Sequence, residues 1–231
     1  MTHDLPLAAP RRRQFLCGAA ALGLLALPGC STMAGGGGYS LVDVVRRLLE
    51  LATSNAFARL TAADGFWNSS VARINLPVLF GKRGDVLAGI LSSTAFRDEL
   101  QHKLNNVAES GARRAAPVVA DAVRVIGIDN AEALLRGGPT AATSHLRAAM
   151  GAGLINAMIP ELDSALRLTN DPLIGKAIGA LVGVDLGQLA HGLALEADNA
   201  IWYEIGEAEA AIRRDPQASG DAMLIAALKA P

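Results

Sequence analysis

The chain has 231 residues, 51% hydrophobic and 19% charged, too apolar for a disordered polypeptide and long enough for one or two domains. Aromatic residues are only 4%, while alanine, leucine and glycine dominate, which suits helices and argues against a sandwich or barrel. The formal charge is -1 with acids and bases interspersed, so no basic field exists to attract nucleic acid or an anionic membrane surface.

Residues 1–29 read as an export signal. Arg11, Arg12 and Arg13 precede an apolar run from Leu16 to Leu27, about a dozen residues where a spanning helix needs ~20. The step Arg12, Arg13, Gln14, Phe15, Leu16 is similar to a twin-arginine signal, with the arginine pair ahead of Phe15 and Leu16. Leu27, Pro28, Gly29 and Cys30 resemble a lipobox, in which the cysteine receives a diacylglycerol and becomes the first residue after cleavage. Residues 30–39, with Gly35 to Gly38, then form a lipidated cysteine and flexible tether. The lipobox resemblance implies membrane attachment through acyl chains on Cys30, and Ser31, in place of a retention aspartate, favours the outer membrane. The alternative is an ordinary cleaved signal with an incidental cysteine. Cleavage removes three arginines and one aspartate and leaves 18 basic and 21 acidic residues, a mildly acidic domain. Cys17 leaves with the signal, so no thiol remains for a disulfide, nucleophile or metal site.

From residue 40 the periodicity is helical. Ser40 and Asp43 form a capping box for a helix to about Leu60 carrying Leu41, Val44, Val45, Leu48 and Ala52. Residues 61–82, where Gly and Pro break the period and aromatics cluster, form the most distinctive loop. Phe96, Leu100, Leu104 and Val107 define a second long helix from Thr94, and Pro117 either kinks it or starts a third. Asp129 and Glu132 predict a capping box for a short helix stopping at Gly137 and Gly138, after which Pro139 starts the next. That helix runs from Thr140 to about Thr169 with a kink or restart at Pro160, and Pro172 opens a short one through Ile174, Ile178 and Leu181. Asp185 and Gln188 cap a long helix through Leu189, Leu193, Ile201, Ile205 and Ile212. Its outer face carries Glu209 and Arg213 as an exposed pair, and it ends before Pro216. A last helix, roughly 220–229, docks through Leu224, Ile225 and Leu228. The expectation is an all-α fold, a single compact domain of about eight helices over residues 40–231.

Chemistry-bearing motifs are sparse. His102, His145 and His191 stand apart from one another and from any cysteine, so metal-ligand spacing is missing and each reads as a surface or cap residue. Glu196, Asp198, Glu204, Glu207 and Glu209 share one helix; two of them turned inward could serve acid-base chemistry, but a solvated face is the favoured reading. Asp64, Phe66 and Trp67, with Arg73 downstream, fit either a ligand mouth or a clasp in which Asp64 caps a helix or pairs with Arg73 while the aromatics plug the core. The clasp is favoured. Gly137 and Gly138 before a helix start fit an anion site or, preferably, a tight turn with Thr143 closing the helix. Trp202 and Tyr203 point about 100° apart, one to the core and one to a rim. No cofactor or metal motif and no Gly-x-Ser-x-Gly sequence is present.

Four blocks together resemble the bacterial domain-of-unknown-function family 4197. They are Asp64 to Asn68 with Arg73, Ile74, Leu76 and Pro77; Ala115, Ala116 and Pro117; Ile128 to Leu135 with Gly137, Gly138, Ala141, Ala142, Thr143 and Arg147; and Ala197 and Asp198 to Ile212 and Arg213, with Pro216. His145, the pair Ala148 and Ala149, and the pair Asn199 and Ala200 depart from the family's pattern. The resemblance implies an exported, mostly helical protein, often a lipoprotein, and carries over no established activity. The candidate cluster is Asp64, Phe66, Trp67, Arg73, Gly137, Gly138, Thr143, Arg147, Asp198 and Trp202. Two functions remain: a non-enzymatic envelope lipoprotein binding a protein partner or an apolar ligand, or an enzyme on an envelope substrate using Asp64, Arg73 and Glu204. A core without a cavity above ~300 Å³ would exclude the enzyme and the ligand binder alike.

Overall fold

A computed structural model describes residues 38–76, 94–168 and 185–229, with the single positions 172 and 175. The predicted export signal, Cys30 and the short helix with Ile174, Ile178 and Leu181 lie outside the described residues, as does the loop beyond Leu76. Within them the chain is helical with no strand: α1 (Leu41–Leu60), α2 (Gly65–Asn68), α3 (Thr94–Val125), α4 (Ala131–Arg136), α5 (Ala141–Met150), α6 (Gly153–Leu168), α7 (Leu186–Arg214), a 3-10 turn (Pro216–Ser219) and α8 (Ala222–Lys229).

Local chemistry sets several helix starts. Asp43 N–H donates to Ser40 Oγ (3.1 Å) and Ser40 N–H to Asp43 Oδ2 (3.2 Å), satisfying two otherwise orphaned donors at the start of α1. Asp185 caps α7 by accepting from Gly187 N–H (2.8 Å), one position short of the expected box with Gln188. The cap of α4 is Asn130, whose Oδ1 accepts from Ala133 N–H (3.0 Å), and not Asp129. The amide side chain sits at the position with non-helical backbone, where a third-residue amide comes within reach.

Pro117 and Pro160 lie inside α3 and α6 on their exposed faces, so of the alternatives left open for each, the start of a new helix falls away. The break expected at Pro160 falls instead at Gly151, whose φ of 52° ends α5, a conformation that side chains rarely adopt. Pro139 belongs to the turn before α5 and not to its first helical residue, Thr140 being the cap.

The long helices pair around one core: α1 lies on α3 and α7, and α6 on α3 and α7. The inward stripe of α3 is made of small residues, Ala108, Gly111, Ala112 and Ala115, so α6 approaches closely with Leu154, Met158, Leu162 and Leu166. A Cβ at Gly111 would stand 2.9 Å from the Leu162 side chain. Alanine and leucine thus fill this core by interdigitation, and few aromatic rings are required. Helix α8 is tied back to α1 by Arg47, whose Nε donates to Asp221 Oδ2 (2.6 Å). That guanidinium holds the Asp221 carboxyl below its ordinary range, while Asp221 Oδ1 accepts from Leu224 N–H (3.0 Å).

Candidate functional site

The sequence candidates separate into two clusters. In the first, the chain leaves α1, turns through Asp64 in the left-handed region (φ 58°) and enters α2. Gly65 is required there: an added Cβ would stand 2.3 Å from the Arg59 carbonyl oxygen. Phe66 is fully buried, but Trp67 is only half-buried. The favoured clasp is therefore corrected in two respects. Asp64 occupies the cap position without a side-chain cap bond, and its partner is not Arg73 but His102 on α3, whose Nε2 lies 2.6 Å from Asp64 Oδ1. Arg73 instead donates to the Trp67 carbonyl (2.5 Å), with its guanidinium 4.5 Å from the centre of the Trp67 ring, a cation–π contact. The His102 ring also lies against Trp67, 4.9 Å away between ring centres and tilted by 56°.

Beneath the loop lie Asn105 and Glu109, which sequence reasoning left out, and Glu204, which the enzyme alternative named. Asn105, wholly buried on α3, holds the extended backbone at Ile74: its Oδ1 accepts from Ile74 N–H (2.8 Å) and its Nδ2 donates to the Ile74 carbonyl (2.9 Å). Glu204 on α7, also buried, accepts from Arg59 Nη2 (2.9 Å) and Nε (3.2 Å) and from Ser69 Oγ (2.5 Å). Arg59, Asp64, Asn68, Ser69, Ser70 and Glu204 line a polar cleft of about 430 Å³. Glu109 is 4% exposed, and its Oε1 has no hydrogen-bond partner among the described residues. Burial pushes its carboxyl above the ordinary range, with the Phe66 N–H and the Arg113 charge pulling the other way.

The sign of that shift gives a prediction. A carboxyl raised in the folded state contributes stability below its unfolded value and loses it as pH rises through the folded one. The ordinary value is 4.5, so Glu109→Gln is expected to match the parent near pH 4 and to be the more stable of the two by about pH 7. Urea unfolding at both pH values measures this; equal losses at both would show that Glu109 is held as a satisfied anion.

The second cluster joins α4, α5 and α7. The amides at the start of α5 do not wait for an external anion, because Glu209 fills the position. Ala142 N–H donates to Oε1 (3.1 Å), and Thr143 N–H (2.7 Å) and Oγ1 (2.6 Å) donate to Oε2. Arg213 Nε donates to Glu209 Oε1 (2.8 Å), and its Nη1 and Nη2 donate to the Leu135 and Leu134 carbonyls (2.7 and 2.8 Å) at the end of α4. Gly137 between these helices admits no side chain, since a Cβ would meet the Ala133 carbonyl at 2.8 Å, whereas a Cβ at Gly138 would meet nothing.

The solvated-face reading of the α7 carboxylates holds for Glu207, which is exposed, and fails for Asp198, Glu204 and Glu209. Glu209 and Arg213 are not an exposed pair: their side chains are 0% and 11% exposed. The signal was the apolar stripe itself, for Glu209 lies at helical spacing from Ile205 and Ile212, both buried. Asp198 accepts from Trp202 Nε1 (2.9 Å) and Arg147 Nη2 (3.1 Å), and burial still outweighs these partners and raises its carboxyl. Trp202 is buried and Tyr203 is 64% exposed, at the rim of a shallow cleft with Arg147 and Thr143. His145 contacts the Gly127 carbonyl (2.9 Å), and His191 is exposed.

A third feature belongs to neither cluster: an apolar-walled cleft of about 590 Å³ between α1 and the far half of α3. Among the described residues no group of His, Cys, Asp and Glu has metal-binding geometry, and no helix is long and apolar enough to cross a membrane.

The sequence profile described as "Protein of unknown function (DUF4197)" matches residues 38–228. The chain belongs to the DUF4197 family. Its domain therefore includes every element described above except the last residue of α8. No curated protein and no solved structure matches this DUF4197 chain.

Proposed function

We propose that this DUF4197 protein is a lipid-anchored component of the bacterial envelope, held at the periplasmic face of the outer membrane by acyl chains on Cys30, and that its helical domain binds an apolar ligand. The observation that carries the binding reading is the cleft of about 590 Å³ between α1 and α3, well above the volume a ligand site needs, with mostly apolar walls. The buried carboxylates Glu204 and Glu209 are spent on arginines, hydroxyls or helix amides, which supports a structural role for them. The export signal and lipobox-like sequence support the anchor. Two or three acyl chains, at ~0.8 kcal/mol per buried methylene, hold a protein at a membrane durably. A protein partner is the other occupant compatible with this reading.

The anchor is tested by mass spectrometry of the protein from its host's membrane fraction. The expected N-terminal peptide begins at Cys30 with acyl mass, and Cys30→Ala is expected to move most of the protein to the soluble fraction. An unmodified N-terminus elsewhere, or membrane retention of the variant, defeats the anchor.

A second reading, an enzyme on an envelope substrate, is favoured by the contact of Asp64 with His102 at the edge of the polar cleft. A carboxylate orienting a half-exposed imidazole is an arrangement suited to general base work. It is tested on a panel of chromogenic esters and glycosides: turnover lost in His102→Gln supports it, and absence of turnover retires it.

A further inference from the structure

Helix α8 is apolar from Ala222 to Leu228, so it has no polar side before its last residue, Lys229. A helix that is apolar all round is normally enclosed all round, by protein or by lipid. Here only Leu224 is buried. Ala222, Ile225, Ala226 and Lys229 recur at helical spacing along one outer face, half-buried at Ile225 and exposed at the other three. The ion pair of Arg47 with Asp221 sets the start of this helix against the second turn of α1. At the head of α1 stand Tyr39 and Leu41, large apolar side chains that are 59% and 47% exposed. The end of the domain at which the chain enters α1 is therefore the end at which apolar surface is left uncovered.

We infer that this end, Tyr39 and Leu41 with the outer face of α8, rests on the phospholipid surface that holds the acyl chains of Cys30. The inference rests on the anchor reading above and adds to it an orientation and a contact. Nine positions separate Cys30 from Tyr39, and nine residues span at most ~30 Å however they are arranged. The head of α1 is thus kept near the bilayer, while the Asp64 loop lies at the other end of α1, ~30 Å along its 20 residues. Tethering makes a weak apolar contact intramolecular, and the effective concentration that results populates it without new interactions. The acidic groups beside these residues are answered within the domain, Asp43 by Ser40 and Arg46 and Asp221 by Arg47, so neither opposes a head-group phosphate as a bare charge. Lys229 can lay its stem on apolar surface and place its ammonium at a phosphate. Tyr39 suits the same boundary, an apolar ring with a hydroxyl that stays wet.

Once the signal is removed Cys30 is the single thiol of the chain, so the anchor can be imposed chemically. Residues 30–231 are coupled through Cys30 to maleimide-bearing lipid in dioleoyl-phosphatidylcholine vesicles. Hydrogen exchange is compared with that of the same chain capped by N-ethylmaleimide and mixed with the same vesicles. Coupling is expected to slow exchange in peptides covering residues 39–48 and 220–229 and to leave residues 61–76 unchanged. Leu41→Glu with Ala226→Glu, both at exposed positions, is expected to keep the parent's Tm and circular dichroism and to lose most of that slowing. Because the tether is made in vitro, two failures are told apart: an unacylated protein from the host defeats the anchor, and an unprotected end in the coupled chain defeats the contact.

No slowing on coupling, or slowing confined to residues 61–76, overturns the inference, as does slowing that survives the double variant. Protection of residues 39–48 and 220–229 in the capped chain that rises with protein concentration assigns this end to a second copy of the chain and overturns the lipid contact.

Discussion

Replacing Glu209 by alanine is expected to remove about 3–5 kcal/mol of folding stability, the usual effect of taking one partner from a buried ion pair. The carboxylate is wholly buried, and its removal strands three donors at the start of α5 together with the guanidinium of Arg213, itself only 11% exposed. Because Arg213 also holds the last carbonyls of α4, the pair sets the angle of the turn through Gly137 and Gly138. Glu209→Gln is expected to lose less, since its amide oxygen still accepts from Thr143 while the charge on Arg213 goes unanswered. The double variant with Arg213→Ala is expected to lose less than the two single variants summed, as it leaves no buried charge alone. Urea unfolding of the parent, the three single variants and the double variant measures this. A loss below about 1 kcal/mol for Glu209→Ala would reduce the pair to a surface ornament.

The second large effect is expected at Phe66. Its ring is fully buried at the end of the bundle, where the four-residue helix α2 packs on α3. Phe66→Ala is expected to destabilise by about 3–5 kcal/mol, the transfer of the ring plus the cavity it leaves. The variant also tests whether Phe66 holds the loop chemistry. With the wedge gone, Asp64 and Trp67 lose the anchor that sets them against His102, and the His102 ring resonances are expected to move towards those of an unstructured histidine. A stability loss with unchanged His102 resonances would show that Asp64 and Trp67 are placed by Gly65 and Arg73 alone.

These residues also show how far the chain alone could be read. Ser40 with Asp43, the start of α3 at Thr94, the stop before Pro216 and the division of Trp202 and Tyr203 into one core and one rim residue all follow from local chemistry and period, which need no knowledge of a neighbour. The partner of Asp64 does not. Arg73 is nine positions away and His102 is 38, and only the packing of α2 on α3 decides which comes within reach. Glu209 and Arg213 have the spacing of an exposed helical pair, and that spacing carries no information about what covers it. The ends of α4 and α5 cover it, and their unpaired amides and carbonyls turn a weak surface pair into a buried bridge.

By itself, then, the sequence determined the helical class, the ends of several helices and the family, because each depends on residue type and on neighbours within a turn or two. The tertiary structure alone decided which cations, hydroxyls and amides meet the buried carboxylates. The physical reason is that a polar group's energy is set by whatever replaces its water, and the replacing atoms come from elements distant in the chain.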